Sequence, residues 1–237
     1  KNNDTVHDFT KDPIQPYIDG DWVKARGTTL GADNGIGMAS ALAVLADDSV
    51  EHGPLEVLLT MTEEAGMDGA FGLQANWLQA DILINTDSEE EGEIYMGCAG
   101  GIDFISTLPL SREAIPAGFQ TFKLTLKGLK GGHSGGDIHL GLGNANKLLA
   151  RFLAGHAAEL DLRLVDFNGG TLRNAIPREA FATVAVPAAK ADELKKLSTV
   201  YLDILKNELS AKEKNLTVVL ESVSTDKAAL TVQSDRK

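Results

Sequence analysis

Acidic residues at three places in the first hundred residues have the type and spacing to bind a divalent metal ion. Asp33 stands at the start of a predicted helix, the pair Glu63 and Glu64 follows one apolar run, and Asp87 follows another. Carboxylates held close together repel one another unless a cation lies between them. Alone they suit Mg²⁺, Ca²⁺ or Mn²⁺, and with imidazole added they suit Zn²⁺. The spacing indicates a metal site in which one glutamate of the pair binds metal and the other takes a proton from metal-bound water.

Each acidic motif also has an ordinary structural explanation. Asp33-Asn34-Gly35 is a common turn sequence, in which the acidic side chain bonds its own backbone and the glycine takes a positive φ. A glutamate pair after a strand is usually a solvated edge, and an aspartate after a strand usually caps a loop. The residues taken one by one therefore leave both explanations open.

Two further polar motifs lie in the second half of the chain. His133 stands within residues 131–136, where four glycines surround it, and such a loop can approach a ligand closely and present an imidazole to it. Arg173 and Asn174 join two predicted strands and could hold a carboxylate. The alternatives are a flexible loop that contains an incidental histidine, and a plain turn.

The elements that must position the acidic residues alternate between strand and helix. Apolar runs at residues 55–61, 80–86 and 93–98 predict buried strands, and residues 35–47 and 68–78 predict helices. This order predicts an α/β layer with a mostly parallel sheet flanked by helices. In such sheets ligands gather at the carboxyl ends of the strands, where the glutamate pair and Asp87 would lie.

The pattern changes after residue 101. Alternating apolar and polar residues predict four half-buried strands, and two amphipathic stretches predict helices. The order strand, helix, strand, strand, helix, strand predicts a ferredoxin-like α+β domain. Domains are therefore expected at residues 1–101 and 102–237. The predicted strands are residues 120–127, 160–167, 180–186 and 215–223, and the predicted helices lie within 141–155 and over 191–213.

The composition disfavours several classes of function. The 237 residues carry a net charge of −12, which repels phosphate backbones and anionic lipid, so neither nucleic acid nor a membrane is expected as a partner. No apolar run reaches the roughly 18 residues of a membrane span. The only cysteine, Cys98, excludes an internal disulfide and is predicted to lie in the core. An acidic surface of this kind fits a cytoplasmic protein.

The motifs in combination resemble the di-zinc aminoacylase, carboxypeptidase and dipeptidase superfamily, over essentially the whole chain. Aspartate at position 87 is similar to the dipeptidase and aminopeptidase branch. The motifs are LGADNGIG around Asp33, TMTEEAGMDGA with Glu63 and Glu64, INTDSEEEGE with Asp87, KGGHSGGDIHLGLGNAN with His133, and RNAIP with Asn174.

The resemblance implies a role for each of these residues. Asp33 would bridge two Zn²⁺ ions, while Glu64 and Asp87 would each bind one of them. Glu63 would be the general base, His133 would stabilise the oxyanion from a lid domain, and Asn174 would help to hold the substrate. The implied reaction is hydrolysis of dipeptides with a free N-terminus, Xaa-His among them, with Co²⁺ or Mn²⁺ as substitute metals and with a homodimer left undecided.

The resemblance also places two ligand histidines outside this chain, and no His-x-Asp motif occurs in it. The chain is therefore expected to be an internal piece of a longer protein, with an incomplete zinc-peptidase catalytic domain, part of an inserted ferredoxin-like lid domain and no activity of its own. Two alternatives remain at this point. One is a carboxylate-based Mg²⁺ or Mn²⁺ phosphoesterase, and the other is a non-catalytic lid or interaction fragment.

Overall fold

The computed structural model describes residues 1, 4–88, 90–98, 100–102 and 104–232. The chain divides into two compact units, Lys1–Ile102 and Asp103–Lys237. This division lies one residue beyond the boundary expected from the change in sequence pattern. None of the helices in the described ranges is long and apolar enough to cross a membrane.

In its described residues, the first unit has one hairpin, two α-helices and a short 3₁₀-helix. Its hairpin pairs β1 (Pro16–Asp19) with β2 (Trp22–Ala25) in antiparallel register. Helix α1 (Gly35–Ala46) agrees with the predicted helix, and Asn34 caps it by accepting a hydrogen bond from the backbone N–H of Gly37. Helix α2 (Asp68–Phe71) is a single turn, so the prediction of a helix over residues 68–78 is wrong beyond Phe71.

The predicted strands at residues 55–61, 80–86 and 93–98 are wrong for this structure, because none of these segments forms a strand. All strand pairs in the described residues are antiparallel, so the mostly parallel sheet is also a wrong prediction here. Ile82, Leu83 and Ile84 are at least 80% exposed, and Cys98 is exposed rather than buried. A parallel strand needs hydrogen-bonded neighbours and a cover on both faces. Neither is present around these segments within the described part of the unit.

The second unit is built on a four-stranded antiparallel sheet. The strands lie in the order β5, β6, β4, β7, and β3 pairs separately with β8. The elements from β4 to β7 follow the predicted order, which is strand, helix, strand, strand, helix and strand. The elements are β3 (Arg112–Glu113), β4 (Phe119–Lys127), α3 (Ala145–His156), β5 (Arg163–Gly169), β6 (Ala180–Pro187), α4 (Ala191–Leu209), β7 (Thr217–Ser222) and β8 (Ala229–Leu230).

The hydrophobic core of the second unit lies between one face of the sheet and helices α3 and α4. Alternate residues of a strand share a face, and residues three or four apart share a face of a helix. The core therefore takes every second residue of β4 and one stripe from each helix. Its fully buried members include Phe122, Leu124 and Leu126 of β4, Leu149 and Phe152 of α3, and Leu194 and Leu205 of α4.

Tyr201 joins the two helices of the second unit. Its hydroxyl donates a hydrogen bond to the carbonyl oxygen of Leu148 at 2.7 Å and accepts one from Nε of Arg151 at 2.9 Å. Arg151 also donates to Glu208 at 2.8 Å. Burial raises the pKa of Tyr201, and the neighbouring guanidinium opposes that rise. The hydroxyl therefore stays protonated and available as a donor.

Candidate active site

Asp33 and Asp87 line the same cavity in the first unit. The cavity has a volume of about 440 Å³. Both aspartates that the sequence selected therefore line one space that could take a cation. The lining residues are Ala32, Asp33, Asn34, Ile36, Thr86, Asp87 and Ser88.

Asn34 brings the two aspartates to this cavity. Its Oδ1 accepts from the Gly37 N–H at 2.9 Å, and its Nδ2 donates to the carbonyl oxygen of Thr86 at 2.5 Å. One amide side chain thus ties the start of α1, next to Asp33, to the residue immediately before Asp87. Gly37 permits this approach, because a Cβ at that position would overlap the Thr86 side chain.

Glu63 and Glu64 lie in a short 3₁₀-helix, Glu63–Ala65, which follows Thr62. Neither glutamate is among the residues that line the cavity of Asp33 and Asp87. Across the residues that the structure describes, no group of three His, Cys, Asp or Glu side chains could hold a metal ion. The structure therefore brings together two of the three predicted ligands and leaves out Glu64. The segment that leads to the glutamates, residues 55–61, forms no strand that would fix their position.

His133 lies in a tight loop of the second unit. Its backbone N–H donates to Oδ2 of Asp137 at 2.8 Å, and its carbonyl accepts from the Asp137 N–H at 3.0 Å. A Cβ at Gly132 would lie 2.7 Å from the same Asp137 oxygen, so the glycine is what lets the loop close around this carboxylate. Sequence analysis selected His133 but missed Asp137, whose position four residues later was the available signal.

Within the described residues, the imidazole of His133 forms its hydrogen bonds through Nδ1. Its Nδ1 accepts hydrogen bonds from the N–H groups of Gly136 at 2.9 Å and Gly135 at 3.1 Å. A ring nitrogen that accepts carries no proton, so these bonds assign the proton of the neutral ring to Nε2. The side chain is exposed. It can therefore offer an N–H donor to an oxygen that gains negative charge during a reaction.

Asn174 lies beside His133 along a short stretch of paired backbone. Its carbonyl accepts from the Ser134 N–H at 2.8 Å, Ala175 forms an isolated β-bridge with His133, and the Ile176 N–H donates to Gly132 at 2.8 Å. A cavity of about 520 Å³ opens next to this stretch. Its polar lining includes Ser134, Asn144, Asn146, Thr171 and Arg173.

Comparison with known proteins finds one family match and one relative that is similar over nearly the whole chain. Residues 124–213 match the family described as "Peptidase dimerisation domain". "Cytosol non-specific dipeptidase" of Escherichia coli (strain K12) is 84% identical over 234 residues, which cover 99% of this chain and 48% of that protein. Over nearly its whole length, this chain is therefore similar to that dipeptidase. The resemblance found in its motifs is thereby confirmed.

A solved structure covers the whole chain as well. "Aminoacylhistidine Dipeptidase from Vibrio alginolyticus" is 64% identical, with a TM-score of 0.62, over 100% of this chain and 48% of that one. A shorter match, 36% identical over 80 residues, is to "Uncharacterized protein YqjE" of Bacillus subtilis (strain 168), and it covers 32% of this chain and 22% of that protein. The chain thus spans about half the length of the two dipeptidases.

Proposed function

We propose that the protein acts as a metal-dependent dipeptidase that hydrolyses dipeptides with a free N-terminus, Xaa-His among them. The observation that carries this proposal is the 84% identity, over 99% of this chain, to a protein named as a non-specific dipeptidase. That identity favours a peptidase over the phosphoesterase considered from the carboxylates alone. The word "cytosol" in the relative's name supports a cytoplasmic location for this protein.

Asp33, Glu64 and Asp87 are the proposed metal ligands within this chain. Two of them already line one cavity, and a carboxylate donor set of this kind fits a divalent cation. The family resemblance makes the proposed metals two Zn²⁺ ions, with Co²⁺ or Mn²⁺ as substitutes. When bound, the ions would polarise the scissile carbonyl and make a bound water more acidic.

The remaining proposed roles are proton transfer, stabilisation of the oxyanion and substrate binding. Glu63, next to a proposed ligand, would take the proton from the attacking water and pass it to the leaving amine. His133 would donate its Nε2–H to the oxyanion of the tetrahedral intermediate. The arrangement of its ring supports this role, because the two glycine N–H groups leave only that nitrogen as a donor. Asn174, beside His133, would help to hold the substrate.

Flanks taken from the Escherichia coli relative allow a direct test. We would join them to this chain and measure bound zinc and Ala-His hydrolysis, with Glu63→Gln as the variant and Glu51→Gln, an exposed carboxylate, as the matched control. We expect about two zinc ions per chain and turnover in the extended protein. We expect Glu63→Gln to keep the zinc and to lower turnover by about 10²–10⁴-fold, while the control stays active.

Two outcomes would contradict the proposal at different levels. An extended protein that binds no zinc and cleaves no dipeptide would remove the dipeptidase function. An extended protein that is active but insensitive to Glu63→Gln would leave the function in place and move the general base to another residue. The unextended chain is expected to be inactive in the same assay.

A second proposal concerns the second unit, which we propose to be a ferredoxin-like lid domain that forms a homodimer. The order of its strands and helices and the family description of residues 124–213 both support it. Light scattering after size-exclusion chromatography tests the association directly. A dimer that persists on dilution is expected, and a monomer at all concentrations would contradict it.

A further inference from the structure

Glu213 is a buried carboxylate that accepts hydrogen bonds from backbone N–H groups. Only 3% of the residue is exposed, and it lies just beyond the end of α4. Its Oε2 accepts from the Lys130 N–H at 2.9 Å, and its Oε1 accepts from the Gly143 N–H at 2.8 Å. The helix end fixes the position of Glu213 in turn, because the Leu209 carbonyl accepts from the Glu213 N–H at 2.9 Å.

The two amides bound by Glu213 lie on either side of the segment that carries His133. We call residues 131–142 the histidine loop. Lys130 precedes it and Gly143 follows it, so a single side chain holds both ends of the loop. A Cβ at Gly143 would lie 2.9 Å from the side chain of Leu129, which shows how closely the two ends approach. The neighbouring Lys212 ammonium donates to the Leu140 carbonyl and adds a third tie between the helix end and the loop.

The conformation of the histidine loop decides which proton His133 presents. Nδ1 can accept from Gly135 and Gly136 only while the chain curls back over the ring. Glu213 fixes the two ends of the loop and so limits the conformations open to this stretch, together with Asp137, whose carboxylate accepts from the His133 N–H. Charged acceptors form the stronger hydrogen bonds in proteins, so a carboxylate holds a loop of this kind more firmly than a neutral group would.

We propose that Glu213 is a positioning residue, which holds the histidine loop in the conformation that keeps the proton of His133 on Nε2. The meaning of this role for catalysis rests on the proposed dipeptidase function, whereas the conformational role does not. Glu213 hydrogen-bonds the ends of the loop and not the imidazole among the described residues. Sequence reasoning missed it, because it lies 80 residues after His133 in a segment without a motif.

The experiment reads the imidazole directly. Nitrogen-15 NMR of this chain at about pH 8, where an ordinary histidine is neutral, distinguishes the two ring tautomers of His133. Solvent exchange of the Gly135 and Gly136 amides reports their hydrogen bonds. The variants are Glu213→Ala and Glu213→Gln. The matched control is Glu208→Gln, since that carboxylate lies on α4 but bonds Arg151 instead of the loop.

The wild-type chain is expected to show predominantly the Nε2–H tautomer. In Glu213→Ala the tautomers should become more evenly populated, and the two glycine amides should exchange at least about threefold faster. Glu213→Gln should fall between, because the amide keeps one acceptor oxygen, and Glu208→Gln should match the wild type. If circular dichroism shows that Glu213→Ala does not fold, the comparison of the two glutamine variants carries the test.

The proposal is overturned if the Glu213 variants that fold keep the wild-type tautomer ratio and exchange rates, or if Glu208→Gln changes them equally. No metal or substrate enters this measurement, so it gives a result whether or not the protein is a dipeptidase. In the extended protein, Glu213→Gln should lower kcat with KM nearly unchanged, because the donor acts in the transition state. If the NMR effect appears while the wild-type extended protein is inactive, the proposed function fails and the positioning role stands.

Discussion

Two glycines at the ends of β4 provide a matched test of how tightly the second unit is packed. Gly118 precedes the strand with φ +83° and Gly128 follows it with φ +84°, so both adopt the left-handed conformation. A Cβ at Gly118 would meet no atom within 4 Å. A Cβ at Gly128 would overlap the carbonyl oxygen of Asn215. Both alanine variants therefore strain the backbone, and Gly128→Ala also overpacks the fold.

The shared cost is that of placing an L-residue in the left-handed region, about 1–2 kcal/mol. Gly128→Ala adds the cost of overpacking against backbone that must move, about 1–3 kcal/mol. We therefore expect Gly118→Ala to lower the free energy of unfolding by about 1–2 kcal/mol, and Gly128→Ala to lower it by about 2–5 kcal/mol.

Urea unfolding followed by far-UV circular dichroism measures both values, because the long helices α3 and α4 belong to the unit that contains the glycines. Tryptophan fluorescence would report on the wrong unit, since Trp22 and Trp77 both lie in the first one. Equal destabilisation by the two variants, within about 0.5 kcal/mol, would refute the packing argument at Gly128. It would leave only the backbone cost.

Two further predictions concern polar contacts of the second unit, and urea unfolding measures both. Tyr201→Phe leaves the Leu148 carbonyl and Arg151 Nε without their shared partner and should cost about 1–2 kcal/mol; an unchanged midpoint would show that water replaces the hydroxyl. Lys227 donates a hydrogen bond to Asp166 at 2.6 Å and holds the pKa of that carboxyl below its usual value. The pair therefore stabilises the fold above about pH 4, and this stabilisation is lost as the pH falls through the lowered pKa. Both side chains are well exposed, so Asp166→Asn should cost less than about 1 kcal/mol at pH 7. The difference in stability should vanish once the pH lies below the lowered pKa of Asp166, and a difference that does not change with pH would contradict this reasoning.

The second unit was predictable because its signals are local. Phe122, Leu124 and Leu126 alternate with polar residues along β4, and alternation of this kind reports one buried face whatever the strand pairs with. The helices were equally clear from apolar residues three and four apart. Their lengths were less so, since α4 ends at Leu209 whereas the helix was predicted to run on to residue 213.

The first unit was less predictable because a strand forms only when another segment of the chain pairs with it. Ile82, Leu83 and Ile84 have the β-branched and apolar side chains that favour strands, yet they remain exposed and unpaired with any strand in the described residues. Strand propensity mainly measures how well a side chain fits a half-buried pleated surface. Without that surface the same residues specify no strand. The single turn of α2 also ends early, at Phe71, and the next residue is Gly72, which has a low helix propensity.

For the candidate site, the residue types were predictable from the sequence but their positions were not. Sequence analysis selected Asp33 and Asp87 by type, and the structure shows that Asn34 between Asp33 and α1 caps the helix. The second bond of Asn34, to the Thr86 carbonyl 52 residues away, is what places the two aspartates at one cavity. A local sequence pattern carries no information about a contact of that range. Residue type therefore suggested a shared site, and only the tertiary structure shows how the two aspartates reach it.

The two groups of proposed site residues also differ in how firmly the fold holds them. Gly37 is the only buried residue among the described residues of the first unit, whereas the second unit has a continuous hydrophobic core. His133 is therefore a preformed donor, with its ring fixed by two backbone N–H groups. The proposed metal ligands are not preformed, since Glu64 lies outside the cavity that Asp33 and Asp87 share. Metal binding by this chain would have to order the glutamate segment as well, and part of the binding free energy would be spent on folding. The histidine needs no such ordering, because two backbone N–H groups already hold its ring in a unit that has a continuous hydrophobic core.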